Sequence, residues 1–89
     1  MTSVKDLIES LSKMGFPLID FWVNDNILFL FPVSCTVSYN LYNKLIEYEF
    51  ECKLSKYLNM VSIEIIGSPL NTFRQIVDAF NQESLVLLF

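Results

Sequence analysis

The amino-acid sequence predicts an α+β domain in which an antiparallel β-sheet carries its helices mainly on one face. Apolar residues recur with helical spacing in three segments. Between these segments lie two β-rich runs and, from Tyr48 onward, two segments in which apolar and polar residues alternate. Turn-forming residues mark the junctions, which gives the order α-β-β-α-β-β-α. With 89 residues we expect one domain, because smaller pieces could not bury a core. Residues 1–25 could be an N-terminal embellishment on a β-α-β-β-α core over residues 26–89.

The first predicted helix runs from Ser3 to Met14, where the apolar residues fall on one face. Thr2 or Ser3 can supply the N-cap oxygen. Gly15 is placed to end the helix in a left-handed conformation, and Pro17 forbids its continuation.

A β-hairpin follows, with strands over Leu18–Val23 and Ile27–Phe31 and a three-residue loop, Asn24–Asn26. The second strand has two apolar faces: Ile27, Phe29 and Phe31 on one side and Leu28 and Leu30 on the other. A strand of this kind is expected to be central in the sheet, or covered on both sides.

A second helix is predicted after Pro32, entered through Val33–Thr36 and ending near Glu47, with Ser34 or Thr36 as its cap. From Tyr48 to Leu54 the apolar period changes to two, which predicts a strand with one solvent-facing side.

Residues Ser55–Asn59 are then expected to form a turn, and Met60–Ile66 the last strand. Ser68 is the expected N-cap of the third helix, and Pro69 its first residue. The terminal segment Ser84–Phe89 fits either a continuation of this helix, which we favour, or an edge strand.

Composition limits the possible functions of the chain. Hydrophobic residues make up 53% of a chain that has no His, two Cys and a formal charge of −4. So small a domain should leave large apolar side chains at its surface, and we therefore expect a protein partner. Scattered Lys and Arg argue against binding of nucleic acid by this domain alone.

Neither metal nor membrane binding is expected. Cys35 and Cys52 lack the spacing of zinc ligands, and we expect two reduced thiols rather than a disulfide. The first residues do not combine a basic stretch with an apolar run, so we do not expect secretion. The apolar run Ile27–Val33 is too short to span a bilayer. We expect a cytoplasmic protein without cofactors.

Three groups of side chains are candidate functional sites. Glu49 and Glu51 could form a carboxylate pair, but a solvent-facing strand accounts for them better. Arg74 could bind a partner or a phosphate, although an ion pair with Asp78 one turn later is the simpler interpretation. The aromatic residues could stack on bases, but core or interface packing is favoured; they are Trp22, Tyr39, Tyr42, Tyr48 and Tyr57.

Three segments carry a family resemblance. Phe31–Ser34 ends a strand in Phe-Pro before a helix, Phe50–Ile66 supplies a hairpin, and Phe73–Phe80 carries an Arg followed by Val and an aromatic residue. In this order they resemble the small dimerising subunit of the KEOPS complex, the CTAG-type family, or a paralogue of it. Asp78 and Ala79 stand where that family has Asn and Ser.

The resemblance implies a non-catalytic scaffold and dimerisation subunit of the complex that installs threonylcarbamoyl on adenosine in tRNA. The ATP-using and transferase chemistry belongs to other subunits. The implied partner is a related small subunit, in a homo- or heterodimer. We expect partner proteins to bind through apolar helix and sheet surfaces, and the family resemblance implies that the helices dock onto the catalytic subunit. Because this chain is acidic, we expect contact with tRNA to be indirect at most. We assign partner binding to residues on or after the last helix: Phe73, Arg74, Val77, Phe80, Leu87 and Leu88.

A different class of function also fits the composition. A small acidic viral or plasmid-encoded protein could bind and inhibit a host protein, because a negative surface can imitate nucleic acid. An enzyme is the least expected class, since catalysis would depend on carboxylates or Tyr alone.

Overall fold

The computed structural model describes residues 4–57, 60–67 and 69–87. It confirms the α+β class and the predicted order of elements. The bounds are α1 (Val4–Lys13), β1 (Leu18–Asn24), β2 (Ile27–Pro32), α2 (Cys35–Glu47), β3 (Cys52–Tyr57), β4 (Met60–Ile66) and α3 (Pro69–Leu87).

The four strands form one antiparallel sheet in the order β1-β2-β4-β3. Strand β2 is therefore central, as its two apolar faces predict. Strand β1 bears a register irregularity between Leu18 and Asp20. The loop of the first hairpin is shorter than predicted: Asn24 pairs with Ile27, so only two residues make the turn. The first of these, Asp25, adopts φ +54°, which Asp tolerates better than most residues.

The core lies between the helices and one face of the sheet. Each helix contributes buried side chains to a single cluster with β2 and β4. This arrangement confirms that the helices lie on one face. The cluster consists of Leu7 and Leu11 from α1, Leu28 and Leu30 from β2, Leu41 and Leu45 from α2, Ile63 and Ile65 from β4, and Phe73, Ile76, Val77 and Phe80 from α3.

Helices α1 and α2 end in the same hydrogen-bonded motif. After α1, Phe16 N–H donates to Leu11 O at 2.9 Å and Gly15 N–H donates to Ser12 O at 3.1 Å. Gly15 has φ +95°, which confirms its predicted role. These two bonds define a Schellman motif, in which a left-handed residue closes the last helical turn.

After α2 the left-handed position of this motif is occupied by Glu49, with φ +65°. Phe50 N–H donates to Leu45 O at 3.0 Å and Glu49 N–H donates to Ile46 O at 2.9 Å. The predicted strand over Tyr48–Leu54 is therefore wrong in its first half, because Tyr48, Glu49 and Phe50 are used to end the helix.

Strand β3 consequently begins later than predicted and extends through Tyr57, so the predicted turn at Ser55–Asn59 is wrong for its first three residues. Residues 58 and 59 lie outside the described part of the chain. Helix α3 begins at Pro69, as predicted, and continues to Leu87, which supports the helical alternative for the terminal segment.

The predicted caps have different outcomes. Ser34 caps α2, because its side chain accepts Val37 N–H at 3.2 Å. The predicted caps Thr2, Ser3 and Ser68 lie outside the described residues.

One buried hydroxyl connects α2 to the sheet. Ser38 is fully buried, and its Oγ donates to Val61 O at 2.8 Å. Continuing the β2–β4 register places Pro32 opposite Val61. Proline has no N–H to donate to the ladder, and Ser38 supplies the missing donor.

Candidate interaction surface

The predicted partner-binding residues on α3 mostly face the interior. Phe73, Val77 and Phe80 are only 1%, 4% and 2% exposed, because their shared stripe packs against the sheet. Arg74 is exposed. The side chain of Leu87 and all of Leu88 lie outside the described part. In this conformation a partner would meet Arg74 but could not reach the three buried side chains.

The other side of the sheet is the more conspicuous surface. We call it the open face, because the buried side chains of all described helices pack on the opposite side. Residues directly opposite in antiparallel strands point to the same face, so the registers define three rows across it. In the strand order β1-β2-β4-β3 the rows are Asp20-Phe31-Ser62-Ser55, Trp22-Phe29-Glu64-Lys53 and Asn24-Ile27-Ile66-Glu51. The first row continues the β2–β4 register by one residue beyond Leu30 and Ile63.

An apolar area occupies the β1–β2 half of the open face and reaches β4 at Ile66. Trp22 is 62% exposed and Ile66 is 50% exposed. The rings of Trp22 and Phe29 lie 5.9 Å apart between centroids, at an angle of 38°. Ile27, Phe29 and Phe31 are half-buried. Contiguous apolar side chains of this kind are typical of surfaces that bind other proteins.

Charged side chains border this apolar area. On the β3–β4 side, Lys53 Nζ lies 3.3 Å from Glu64 Oε2. Asp20 and Glu51 stand at diagonally opposite corners of the three rows. Asp20 Oδ1 accepts Phe21 N–H at 2.8 Å. The open face thus has an apolar half, an ion pair on the other half and two carboxylates at its corners.

A second exposed apolar area lies on the outer surface of α2. Tyr39 is 49% exposed and Ile46 is 47% exposed, and the two lie seven residues apart on one side of the helix. This pair is smaller than the apolar area of the open face. It provides a useful control position for mutagenesis.

The remaining candidates are not brought together into a site. Glu49 lies in the turn after α2 and Glu51 beside β3, so the two do not share a strand face as predicted. Arg74 and Asp78 are both exposed and form no ion pair with each other. Within residues 4–57, 60–67 and 69–87, no His, Cys, Asp and Glu side chains cluster as metal ligands would.

The two cysteines are free thiols in different environments. Cys35 is exposed at the start of α2, and Cys52 is half-buried in β3. Burial raises the pKa of the Cys52 thiol.

The aromatic candidates are also dispersed. Tyr42 and Tyr48 pack against the core, Tyr39 lies on α2 and Trp22 on the open face. The side chain of Tyr57 is outside the described part. Dispersed rings support packing over base stacking.

The sequence predicted binding through apolar helix and sheet surfaces, but no residue of the open face was among the predicted partner-binding residues. The alternation in β2 shows an apolar face formed by Ile27, Phe29 and Phe31 in addition to the core face. The pattern could not tell whether this second face was covered by the chain itself.

Comparison with known proteins gives no relative. No family model, no curated protein and no solved structure matches this chain. Among the described helices, none has both the length and the apolar composition needed to cross a membrane.

Proposed function

We propose that this chain is a non-catalytic interaction subunit that docks onto protein through its open face. The observation that carries this proposal is the solvent-facing apolar area around Trp22, Phe29 and Ile66. Trp22 and Ile66 contribute little hydrophobic stabilisation to the folded chain, because half or more of each remains exposed to water. A partner that covers the open face would remove both side chains from water. Aromatic side chains at the centre of a patch with a charged border are typical of interaction hot spots.

For the biological setting we propose the threonylcarbamoyladenosine complex of tRNA modification. The order β2-α2-β3-β4-α3 agrees with the order that the resemblance to the small KEOPS subunit implies. Phe31 and Pro32, which carry part of that resemblance, end the central strand. In this proposal the chain positions partner subunits, and other subunits supply the chemistry.

A second candidate is an acidic inhibitor of another protein. It is favoured by the carboxylates of Asp20 and Glu51, which form no ion pair within the described residues and would suit a basic rim on the target. Both candidates use the same surface, and they differ in the protein that binds there.

Affinity purification from the native host with matched variants tests the proposal. Ile66→Lys places a charge on the open face at a side chain that is 50% exposed, and Ile46→Lys places the same charge on α2 at one that is 47% exposed. We expect wild type and Ile46→Lys to capture a stoichiometric protein that Ile66→Lys loses. Threonylcarbamoyl transferase subunits among the captured proteins would support the tRNA-modification setting, and one unrelated host protein the inhibitor. Identical captures by all three chains would contradict docking through this face.

A further inference from the structure

We propose that the outer edge of β1 binds an extended segment of a partner protein, which joins the four-stranded sheet antiparallel to β1. The segment carries β-branched or aromatic side chains and a Lys or Arg opposite Asp20. This inference goes beyond the proposed function, because it concerns the edge of the sheet and not its open face. Strand β1 also lies outside the three segments that carry the family resemblance.

The backbone of β1 has hydrogen-bonding groups on its outer side. Strand β2 is the only described neighbour of β1 in the sheet. In an antiparallel pair, alternate residues direct N–H and C=O toward the neighbouring strand, and the residues between them direct these groups away. Phe21 N–H donates to Asp20 Oδ1 at 2.8 Å, which places Phe21 among the outward residues. Val23, two residues later, therefore also directs its N–H and C=O to the outer side, where no backbone hydrogen bond joins it to a described segment.

The two edges of the sheet are protected differently. Edge strands are commonly guarded by Lys, Pro or bulges, which hinder pairing with another chain. Strand β3, the other edge, carries Lys53 and Lys56, and both are exposed. Strand β1 contains no Lys, Arg or Pro, and only its first residues are guarded, by the register irregularity and by the preceding Pro17. The edge from Phe21 to Asn24 is therefore open to strand addition.

Apolar side chains on both sides of β1 suit an added strand. Trp22 is 62% exposed on the open face, and Val23 is 46% exposed on the helical side. Because Phe21 and Val23 would form the hydrogen-bonded pairs with an added strand, Trp22 falls at a non-hydrogen-bonded pair, where side chains of the two strands approach most closely. Pairs of aromatic and β-branched residues across strands stabilise a sheet. We therefore expect a β-branched or aromatic side chain opposite Trp22.

Asp20 determines the charge of the segment. It is exposed, it is the only charged residue of β1, and it forms no ion pair within the described residues. A Lys or Arg opposite Asp20 would pair with the carboxylate and draw it away from Phe21 N–H, which could then donate to a carbonyl of the segment. The formal charge of −4 on the chain also favours a basic segment.

A random peptide library displayed on phage and selected on the full chain tests the proposal. Val23→Pro removes only an outward N–H, and proline is tolerated at such a position of an edge strand. Val23→Thr is the matched control, because it keeps both the N–H and a β-branched side chain. We expect wild type and Val23→Thr to select the same peptides, with alternating β-branched or aromatic residues and one Lys or Arg. Val23→Pro should bind the selected peptides at least about fivefold more weakly.

The affinities are measured by fluorescence. Trp22 is the only Trp of the chain, and its emission should shift to shorter wavelength when a peptide covers it. Urea unfolding of each variant verifies that the fold is retained. If no peptide is selected, or if the selected peptides bind a folded Val23→Pro as tightly as wild type, the proposal is wrong.

A charge reversal gives a second test that does not depend on the proline. Asp20→Lys should weaken binding of the selected peptides by about threefold or more, and replacing the Lys or Arg of the peptide with Glu should restore it. An affinity that ignores both reversals would overturn the assignment of the edge.

Ile66→Lys separates this inference from the proposed function, because Ile66 lies on the open face away from the β1 edge. Peptides that Ile66→Lys loses and Val23→Pro retains bind the open face, so they would support the proposed function and contradict strand addition. Peptides that Val23→Pro loses and Ile66→Lys retains support strand addition whatever the native-host capture shows.

Discussion

Replacing Ser38 with Ala should destabilise the domain because one buried carbonyl group loses its hydrogen-bond donor. Ser38 is fully buried, and its Oγ donates to Val61 O at 2.8 Å. Because Pro32 would stand opposite Val61 and has no N–H, the Ser38→Ala variant leaves this carbonyl without its donor. An unsatisfied buried acceptor costs about 1–3 kcal/mol. A domain of 89 residues has roughly 4–13 kcal/mol of stability, so the loss is a substantial fraction.

The measurement is equilibrium unfolding in urea, with Ser62→Ala as the matched control. Ser62 Oγ donates to Ser55 O at a long 3.4 Å, in an exposed position. Its removal should change the free energy of unfolding by less than about 0.5 kcal/mol. If Ser38→Ala costs no more than Ser62→Ala, the account of the Val61 carbonyl is wrong.

A double-mutant cycle examines the reason for the dependence on Ser38. Pro32→Ala restores an N–H opposite Val61, which could donate to the carbonyl directly. We therefore expect Ser38→Ala to cost about 0.5–1 kcal/mol less in the Pro32→Ala background, as coupled neighbours do. Strictly additive costs would show that the proline does not create the need for the hydroxyl.

Three further substitutions or modifications test local features. Gly67→Ala should lower the stability by about 1–3 kcal/mol, because φ is +144° and the added Cβ would lie 2.6 Å from Thr72 Oγ1; part of the loss should disappear in a Gly67→Ala/Thr72→Ala variant, as measured by urea unfolding. Glu49→Gly should raise the free energy of unfolding by up to about 1 kcal/mol, and with it the melting temperature, because Glu49 has φ +65°. An unchanged or lower melting temperature would contradict this. Maleimide labelling followed by mass spectrometry should modify the exposed Cys35 before the half-buried Cys52. Because burial raises the pKa of the Cys52 thiol, its labelling rate should rise only at a pH above the usual range for a thiol. Faster labelling of Cys52 than of Cys35 would contradict these two environments.

The sequence was sufficient for the order of elements because turn-forming residues separate apolar segments whose spacing or composition is typical of helices or strands. It was insufficient at Tyr48–Phe50, where alternation continues across a helix end. Phe50 follows the left-handed Glu49 and packs against the same core as Leu45. An apolar residue that follows a Schellman motif can continue the alternating pattern of the next strand although it lies outside that strand. A Gly at position 49 would have marked this helix end, as Gly15 marks the end of α1.

The candidate site posed a different difficulty, because periodicity shows that a face is apolar but not what covers it. On α3 the apolar stripe was assigned to a partner, yet Phe73, Val77 and Phe80 pack on the sheet of the same chain. In β2 the face with Phe29 was recognised as apolar, yet no described element covers it. Only the fold, which places all described helices on one side, separates the two cases.

The composition of the open face is hard to explain by folding alone. Ile66 is 50% exposed and Trp22 is 62% exposed in the single chain, so about half or more of each side chain stays in contact with water after folding. A Thr at either position would keep the β-propensity and avoid most of that exposed apolar surface. The central strand β2 needs only its Leu28 and Leu30 side to seal the core. The apolar side chains on the other side therefore contribute most of their hydrophobic stabilisation only when a second surface covers them.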